Sequence, residues 1–426
     1  MIEDVKKTVD FLKKNGFETP EVGIILGTGL GALTNHIDII QEIPYENIPN
    51  FPIATVEFHK GKLIYGTLEG KTVVAMSGRF HYYEGYSMEE VVFPVRVLKF
   101  LGIQKLLISN AAGCMNLEWK KGELMLLDDH INLILSQNFI NKNNIASKSI
   151  AVAVDGINSV GGVAIPKFLE SLGIKKIKKI NCNPDGNFNH NPEPLPENIT
   201  DLCSEVKRGK YQLGIVVDPD ADRLVLVDER GEPFGEEYTL VAAAEYLLSK
   251  NHGASTCSNL SSTLALKNIT EKYGGKYFSS AVGEINVVQV MKEKKCLIGG
   301  EGNGGVIYPM THYGRDSLIG IGLIISLLVE RNISLSELKK ELPEYNIFKT
   351  KLNYKGEISS IISDVKKLYD ESLIDTTDGV KINFSNSWIH IRKSNTEPVI
   401  RIISEASSML EAEKICKEIM SKLRIV

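Results

Sequence analysis

The chain lacks most of what would mark a secreted, membrane-bound or nucleic-acid-binding protein. Its six cysteines (Cys114, Cys182, Cys203, Cys257, Cys296 and Cys416) are scattered, and no two form a Cys-x-x-Cys pair. Zinc-ribbon and dithiol spacings are therefore absent, and the thiols read as small buried apolar residues in a reducing cytoplasm. There is no basic excess, with 49 Lys and Arg against 53 Asp and Glu and a net charge of −4. Without a polybasic run as well, neither a nucleic acid nor an anionic membrane surface is an expected partner. Long apolar runs are missing too. The N-terminus is charged from Glu3 onward, so no signal peptide is expected, and the most apolar stretch, 318–329, is too short and glycine-rich to span a bilayer. Internal repeats and low-complexity tracts are not evident.

What is present is ordinary globular composition, 43% hydrophobic and 24% charged, over 426 residues. That length accommodates two to four domains. An amphipathic helix is predicted over 2–15, and strands at 22–26, 62–65, 72–76 and 105–109, with a helix near 88–101. A polar stretch, 136–147, separates this block from a second alternation of strands and helices that runs from 150 to about 248. A third such block covers 254–330, and from about 346 short alternating strands and a closing helix at 408–423 read as a small α+β domain. The fold class is α/β, multidomain.

Three loops in the back of the chain carry chemistry. The apolar strand 213–217 runs into Asp218-Pro-Asp-Ala-Asp-Arg223. Carboxylates of Asp218, Asp220 and Asp222, at alternate positions, converge on one hard cation if the backbone curls around it, and Mg²⁺ takes such oxygen ligands. Arg223 then stands where a phosphate oxygen would lie beside the metal. An Asp-rich turn after a strand is the plainer alternative. Gly299-Gly-Glu-Gly-Asn-Gly-Gly305 sets Glu301 and Asn303 among glycines, where a sugar can approach closely and find donors and acceptors. Arg392-Lys-Ser-Asn-Thr-Glu-Pro398 with Arg401 offers guanidiniums, hydroxyls and an amide, an inventory that suits a phosphate dianion.

In this order the loops resemble those of the α-D-phosphohexomutase family, which includes phosphoglucomutase, phosphomannomutase and phosphoglucosamine mutase. The likeness extends to Val154-Asp-Gly-Ile-Asn-Ser-Val-Gly-Gly162, Asn183-Pro-Asp-Gly186 and Ala281-Val-Gly-Glu-Ile-Asn-Val287, and it runs from about 135 to the C-terminus. It implies Mg²⁺ held by Asp218, Asp220 and Asp222, with Arg223 as an active-site cation. It implies sugar recognition by Glu301 and Asn303, and a substrate-phosphate grip by Arg392, Ser394, Asn395, Thr396 and Arg401. The implied reaction on a hexose phosphate is a double phosphoryl transfer through a phosphoserine. That serine belongs to a Thr-Ala-Ser-His-Asn-Pro type loop of the family's first domain, and no such string occurs here; the nearest, Asn187-Phe-Asn-His-Asn-Pro192, has no serine. Both the nucleophile and one expected metal ligand are thus missing from the sequence.

Residues 1–132 resemble a different family, the trimeric purine nucleoside phosphorylases. The matching strings include Gly23-Ile-Ile-Leu-Gly-Thr-Gly-Leu-Gly31, Gly78-Arg-Phe-His-Tyr-Tyr-Glu-Gly-Tyr86 and Ser109-Asn-Ala-Ala-Gly113. The resemblance implies a phosphate site made by Thr28, His59, Arg79, His81, Asn110 and Ala111, open to inorganic phosphate. It also leaves room for oligomerisation through this block. The match stops near Leu133, before the base site, so unpaired sheet edges and exposed apolar faces are expected.

The expected layout is therefore a truncated phosphorylase-like α/β block at 1–132, a junction at 133–149, phosphohexomutase-type α/β domains at 150–248 and 254–330, and an α+β domain at 346–426. Two families, each cut inside its functional unit, give the pattern of a chimera. The leading functional reading is a Mg²⁺-dependent phosphohexomutase, impaired by the lost phosphoserine. Its rivals are a purine nucleoside phosphorylase and a non-catalytic phosphosugar-binding protein. Glucosamine, mannose and glucose phosphates all remain open as the sugar, with glucosamine phosphate favoured by the Glu-Gly-Asn-Gly-Gly form of the sugar loop.

Overall fold

The computed structural model describes residues 2–27, 31–52, 61–80, 86–109, 131–185, 187–354, 358–393 and 399–423. The chain divides into two compact units, Met1–Glu123 and Leu124–Val426.

In the first unit, helix α1 (Ile2–Lys14) opens with Glu3 and Asp4, closes with Lys13 and Lys14, and buries Val5, Thr8, Val9 and Leu12. Charges of that polarity complement the helix dipole, and the buried spacing is one helical face. Five strands follow: β1 (Val22–Leu26), β2 (Asp38–Pro44), β3 (Lys62–Leu68), β4 (Lys71–Ser77) and β5 (Lys105–Ile108), in the order β2-β3-β4-β1-β5. Strand β1 runs parallel to β4 and β5, while β2, β3 and β4 form an antiparallel meander. Helix α2 (Met88–Leu101) begins with a reciprocal Ser87–Glu90 capping box and stops at Gly102 in the left-handed conformation. Strand β2 is an element the hydrophobic pattern did not announce, because its Ile39 and Ile40 both face outward, 48% and 59% exposed. At the other edge β5 has no further strand partner among the described residues, and its Leu107 and Ile108 are 59% and 62% exposed. Among the described residues that edge is unpaired and apolar, as expected of an interrupted sheet.

The second unit begins with two short helices, α3 (Ile131–Leu135) and α4 (Lys142–Ser147). A first α/β layer contains β6 (Ala151–Asp155), α5 (Gly161–Ser171), β7 (Lys176–Ile180), α6 (Thr200–Gly209), β8 (Leu213–Val217) and β9 (Leu224–Val227). A second contains α7 (Glu236–Lys250), β10 (Thr256–Asn259), α8 (Leu264–Lys272), β11 (Tyr277–Ser280), α9 (Glu284–Lys294), β12 (Ile298–Glu301), β13 (Gly305–Ile307), α10 (Ser317–Arg331) and α11 (Leu335–Glu341). Their sheets are ordered β7-β6-β8-β9 and β11-β10-β12-β13. These are the same arrangement twice, three parallel strands closed by an antiparallel one. The sequence shows no repeat, yet the metal-type loop lies between β8 and β9 and the sugar-type loop between β12 and β13, at equivalent corners. The chain ends in an antiparallel sheet, β14-β18-β17-β16-β15, built from β14 (Asn346–Asn353), β15 (Ile374–Asp375), β16 (Val380–Asn383), β17 (Trp388–Lys393) and β18 (Val399–Ala406). Helices α12 (Ile358–Leu368) and α13 (Met409–Lys422) belong to this last domain.

One apolar core runs through both α/β layers, from Val152, Ile215 and Leu224 to Leu240, Ile298 and Ile324. The stretch read from its polarity as a junction joins that core. Ile134, Phe139 and Ile145 are buried in it, and the Phe139 ring packs 5.8 Å from that of Tyr308. Its polar residues lie mostly in α4 and in the turns on either side of it, and three apolar anchors hold it in place. The glycine-rich apolar stretch 318–329 is the interior of α10, buried almost throughout. Among the described residues no single helix is long and apolar enough to cross a membrane; α10 with α11 passes by length and composition only, as a pair bent by 88°.

Candidate functional site

The fully buried β8 delivers Asp218 to the bottom of its loop, where the side chain is 2% exposed. Its Oδ1 accepts from the Asp222 and Arg223 N–H groups at 3.1 and 3.0 Å, and its Oδ2 accepts from Arg223 Nε at 2.6 Å. Those bonds curl the backbone, helped by Ala221 in the left-handed region at φ 57°. The curl brings one carboxylate oxygen from each of Asp218, Asp220 and Asp222 within 4.8 Å of the others. Asp222 Oδ1 is buried with no hydrogen-bond partner. Burial, reinforced by Asp218 and Asp220 and opposed by Arg315 and Arg223, pushes the Asp222 carboxyl up to about 7. Partial desolvation followed by the charge of Asp218 lifts Asp220 in the same direction. An orphaned oxygen among crowded carboxylates wants a multivalent counter-charge, and the oxygen-only donor set fits Mg²⁺.

The sugar-type loop abuts this one. Leu224 donates its N–H to the Gly304 carbonyl at 3.0 Å, and Arg223 pairs with Gly305 as an isolated bridge. Gly304 has φ +91°, and a Cβ there would stand 2.4 Å from the Leu224 carbonyl oxygen, so the contact requires glycine. Glu301, 6% exposed, accepts from Asn259 Nδ2 at 2.9 Å and the Gly283 N–H at 3.2 Å through Oε1. Its Oε2 lies 3.2 Å from Arg315 Nη1. The Asn303 amide oxygen accepts from the Gly305 N–H at 3.3 Å, folding the loop on itself.

Sequence reasoning missed Arg315, the residue that ties these loops together. It stands just before Asp316, the N-cap of α10, and its guanidinium reaches Asp222 Oδ2 at 2.6 Å, Glu284 Oε2 at 3.2 Å and Glu301. The one sequence signal was a Gly314-Arg-Asp316 turn ahead of an apolar helix, which by itself reads as capping.

Of the substrate-phosphate group, Arg392 and Arg401 face each other across β17 and β18. Arg392 is buried, its guanidinium held below the usual range first by desolvation, with Asp378 opposing, and its Nε has no hydrogen-bond partner. Glu301 of the sugar-type loop also acts on it electrostatically. Ser394, Asn395 and Thr396 lie outside the described residues.

In the first unit Arg79 Nη1 donates to the Ser109 carbonyl at 3.3 Å, and Ser109 Oγ accepts from the Gly27 N–H at 3.0 Å. Arg79 is thereby held at the C-terminal ends of the parallel β1 and β5, where α/β sheets bind ligands. Thr28, His59, His81, Asn110 and Ala111 lie outside the described residues.

Residues 128–231 match the model for phosphoglucomutase/phosphomannomutase alpha/beta/alpha domain II, 235–345 that for domain III, and 349–422 that for the C-terminal domain. Residues 21–167 match the phosphorylase superfamily, overlapping the first of these. A probable phosphoglucosamine mutase of Methanopyrus kandleri is 30% identical over 306 residues, 70% of this chain and 67% of that protein. A phosphoglucomutase/phosphomannomutase of Thermococcus kodakarensis is 36% identical over 65% of this chain and 61% of its own length. Purine nucleoside phosphorylase 1 of Bacillus subtilis is 50% identical over 143 residues, 34% of this chain and 53% of that protein. The chain thus spans less than two thirds of either of the last two. A solved phosphoglucomutase/phosphomannomutase family protein from Burkholderia thailandensis shares the fold, with a TM-score of 0.59 at 17% identity over 99% of this chain and 92% of that one. By sequence and fold, the chain belongs to the phosphoglucomutase/phosphomannomutase family of phosphohexomutases over residues 128–422, behind an N-terminal region that matches the phosphorylase superfamily.

Proposed function

We propose that residues 128–422 bind Mg²⁺ and a hexose phosphate for phosphohexomutase-type phosphoryl transfer, with turnover impaired because the family's phosphoserine loop is absent from the sequence. The observation that carries this reading is the meeting of the metal-type and sugar-type loops: Asp222 and Glu301 share the guanidinium of Arg315. Asp218, Asp220 and Asp222 hold the ion, which when bound supplies positive charge beside the transferring phosphoryl group. Arg223, fixed on Asp218, adds a second positive charge at the same place. Glu301, buried and held by three donors, presents its remaining acceptor capacity to sugar hydroxyls. Arg392 and Arg401 grip the phosphate that is not being transferred.

Calorimetric titration of glucosamine, mannose and glucose 6-phosphates with Mg²⁺ present tests the reading. Binding of at least one is expected, and silence with all three would sink it. A mutase assay with added hexose bisphosphate then measures how much transfer survives. The phosphorylase reading retains only Arg79 within the described structure; inosine with phosphate is expected to give no hypoxanthine.

A further inference from the structure

Among the described residues, Arg315 is the one side chain whose ion pairs reach the metal-type loop, the sugar-type loop and a third element together. Asp222 follows β8, Glu301 ends β12 and Glu284 starts α9, and a single guanidinium lies 2.6, 3.2 and 3.2 Å from their carboxylates. Its backbone is fixed as well, since the Arg315 N–H donates to Glu284 Oε1 at 3.0 Å. Gly305 makes room for the stem: a Cβ there would stand 2.4 Å from Arg315 Cδ. The side chain is only 18% exposed, and its buried Nε–H finds no well-aligned acceptor.

Charge decides what this arrangement does. Five carboxylates (Asp218, Asp220, Asp222, Glu284 and Glu301) stand against three guanidiniums, Arg223, Arg315 and, acting on Glu301 from the C-terminal domain, Arg392, so the cluster is short of positive charge. Arg315 neutralises Asp222, a residue of the metal-type triad, and so competes with any cation for it. An ion held by Asp218, Asp220 and Asp222 would weaken the pull of Asp222 on Nη2 and would free guanidinium donors for Glu301, Glu284 and an anion or hydroxyl beside them. A planar fork with one unsatisfied N–H is suited to that exchange.

We propose that Arg315 is the positioning residue that makes metal binding and sugar-phosphate binding mutually dependent. The proposal rests on the reading above that both ligands share this site. Coupling of this kind is reciprocal: if the metal tightens the sugar phosphate, the sugar phosphate tightens the metal by the same factor.

Mn²⁺, followed by electron paramagnetic resonance, serves as the metal probe, titrated with and without glucosamine 6-phosphate, or glucose 6-phosphate if the former does not bind. The parent chain is expected to bind Mn²⁺ about fivefold or more tighter when the sugar phosphate is present. Arg315→Met should still bind Mn²⁺ at least as tightly as the parent does alone, because a competing cation is gone, while the coupling factor falls to about one. Arg315→Lys keeps the charge but not the fork, and should recover only part of the coupling. If Arg315→Met fails to fold, the loss of most of the coupling in Arg315→Lys carries the test. Undiminished coupling in either variant overturns the proposal, as does a parent that binds both ligands independently. A parent that binds neither ligand overturns the functional reading beneath it too.

Discussion

Ser261 and His390 meet across the boundary between the second α/β layer and the C-terminal domain, Oγ to Nδ1 at 2.8 Å. His390 Nε2 lies 2.6 Å from the Asp378 carbonyl, which only accepts, so Nε2 carries the proton and Nδ1 accepts from the serine. The same boundary holds Lys381 Nζ on the Leu260 carbonyl at 2.7 Å and the Leu264 N–H on Glu405 Oε2 at 2.8 Å. The C-terminal domain is therefore docked by buried and partly buried polar bonds, each of which loses its worth if a partner changes charge.

That makes docking acid-sensitive. Burial, aided by Lys381 and Arg392 and opposed by Asp378, lowers His390 from 6.5 to about 4. Between these values the unfolded chain binds the proton and the folded one does not. The contribution of neutral His390 is thus full above pH 6.5 and is lost as pH falls through about 4, a change on the order of 3 kcal/mol. Denaturant unfolding at about pH 7.5 and about pH 4.5 is expected to show a smaller acid loss in His390→Gln than in the parent. Equal losses would remove His390 as the cause.

Gly304→Ala is expected to part the two central loops. It would place a methyl against the Leu224 carbonyl in a backbone conformation that alanine rarely adopts. The cost should be about 2 kcal/mol or more, with weaker sugar-phosphate binding than the stability loss alone explains. A variant that melts and binds like the parent would show that the loops meet without this contact.

The sequence made the chemistry of the loops legible because each kept its residues within a few positions: Asp218, Asp220, Asp222 and Arg223 in one turn, Glu301 and Asn303 in another. Strands β1, β4 and β8 were legible for the same local reason, as compact apolar runs. Arg315 was not, because its meaning comes from three carboxylates as much as 93 positions away, brought together only by sheet order. His390 reads as a polar residue in an alternating strand until Ser261 arrives from another domain. The shared topology of the two α/β layers also left no trace in the sequence, since a sheet constrains hydrophobic pattern more than residue identity. Polarity misdirected the reading of 133–149, where three buried anchors outweigh the polar majority.

The edge strand β5 predicts a liability of the first unit. Leu107 and Ile108 are exposed on a strand with no outer partner among the described residues. Unpaired N–H and C=O groups beside bare aliphatic side chains form a template for a further strand. Light scattering over a concentration series should show self-association of the chain that Leu107→Lys with Ile108→Glu reduces. Scattering unchanged by the pair of charges would place the sticky surface elsewhere.

Asp222→Asn separates binding from stability. The ionised Asp222 carboxylate is unfavourable where it stands, since burial and its two acidic neighbours push its proton affinity up to about 7. An amide removes that burden and gives up the ion pair to Arg315, so the metal-free chain should be as stable as the parent or more so. The same change removes a charge from the proposed metal triad and should weaken Mn²⁺ binding by at least about tenfold. Stability gained where a ligand is lost is the trade expected of residues kept for function. Thermal melting with and without Mn²⁺ reads both effects at once: the parent should gain more from the metal than the variant does. A variant that melts well below the parent without metal would instead make Asp222 a structural partner of Arg315, and its charge a matter of folding.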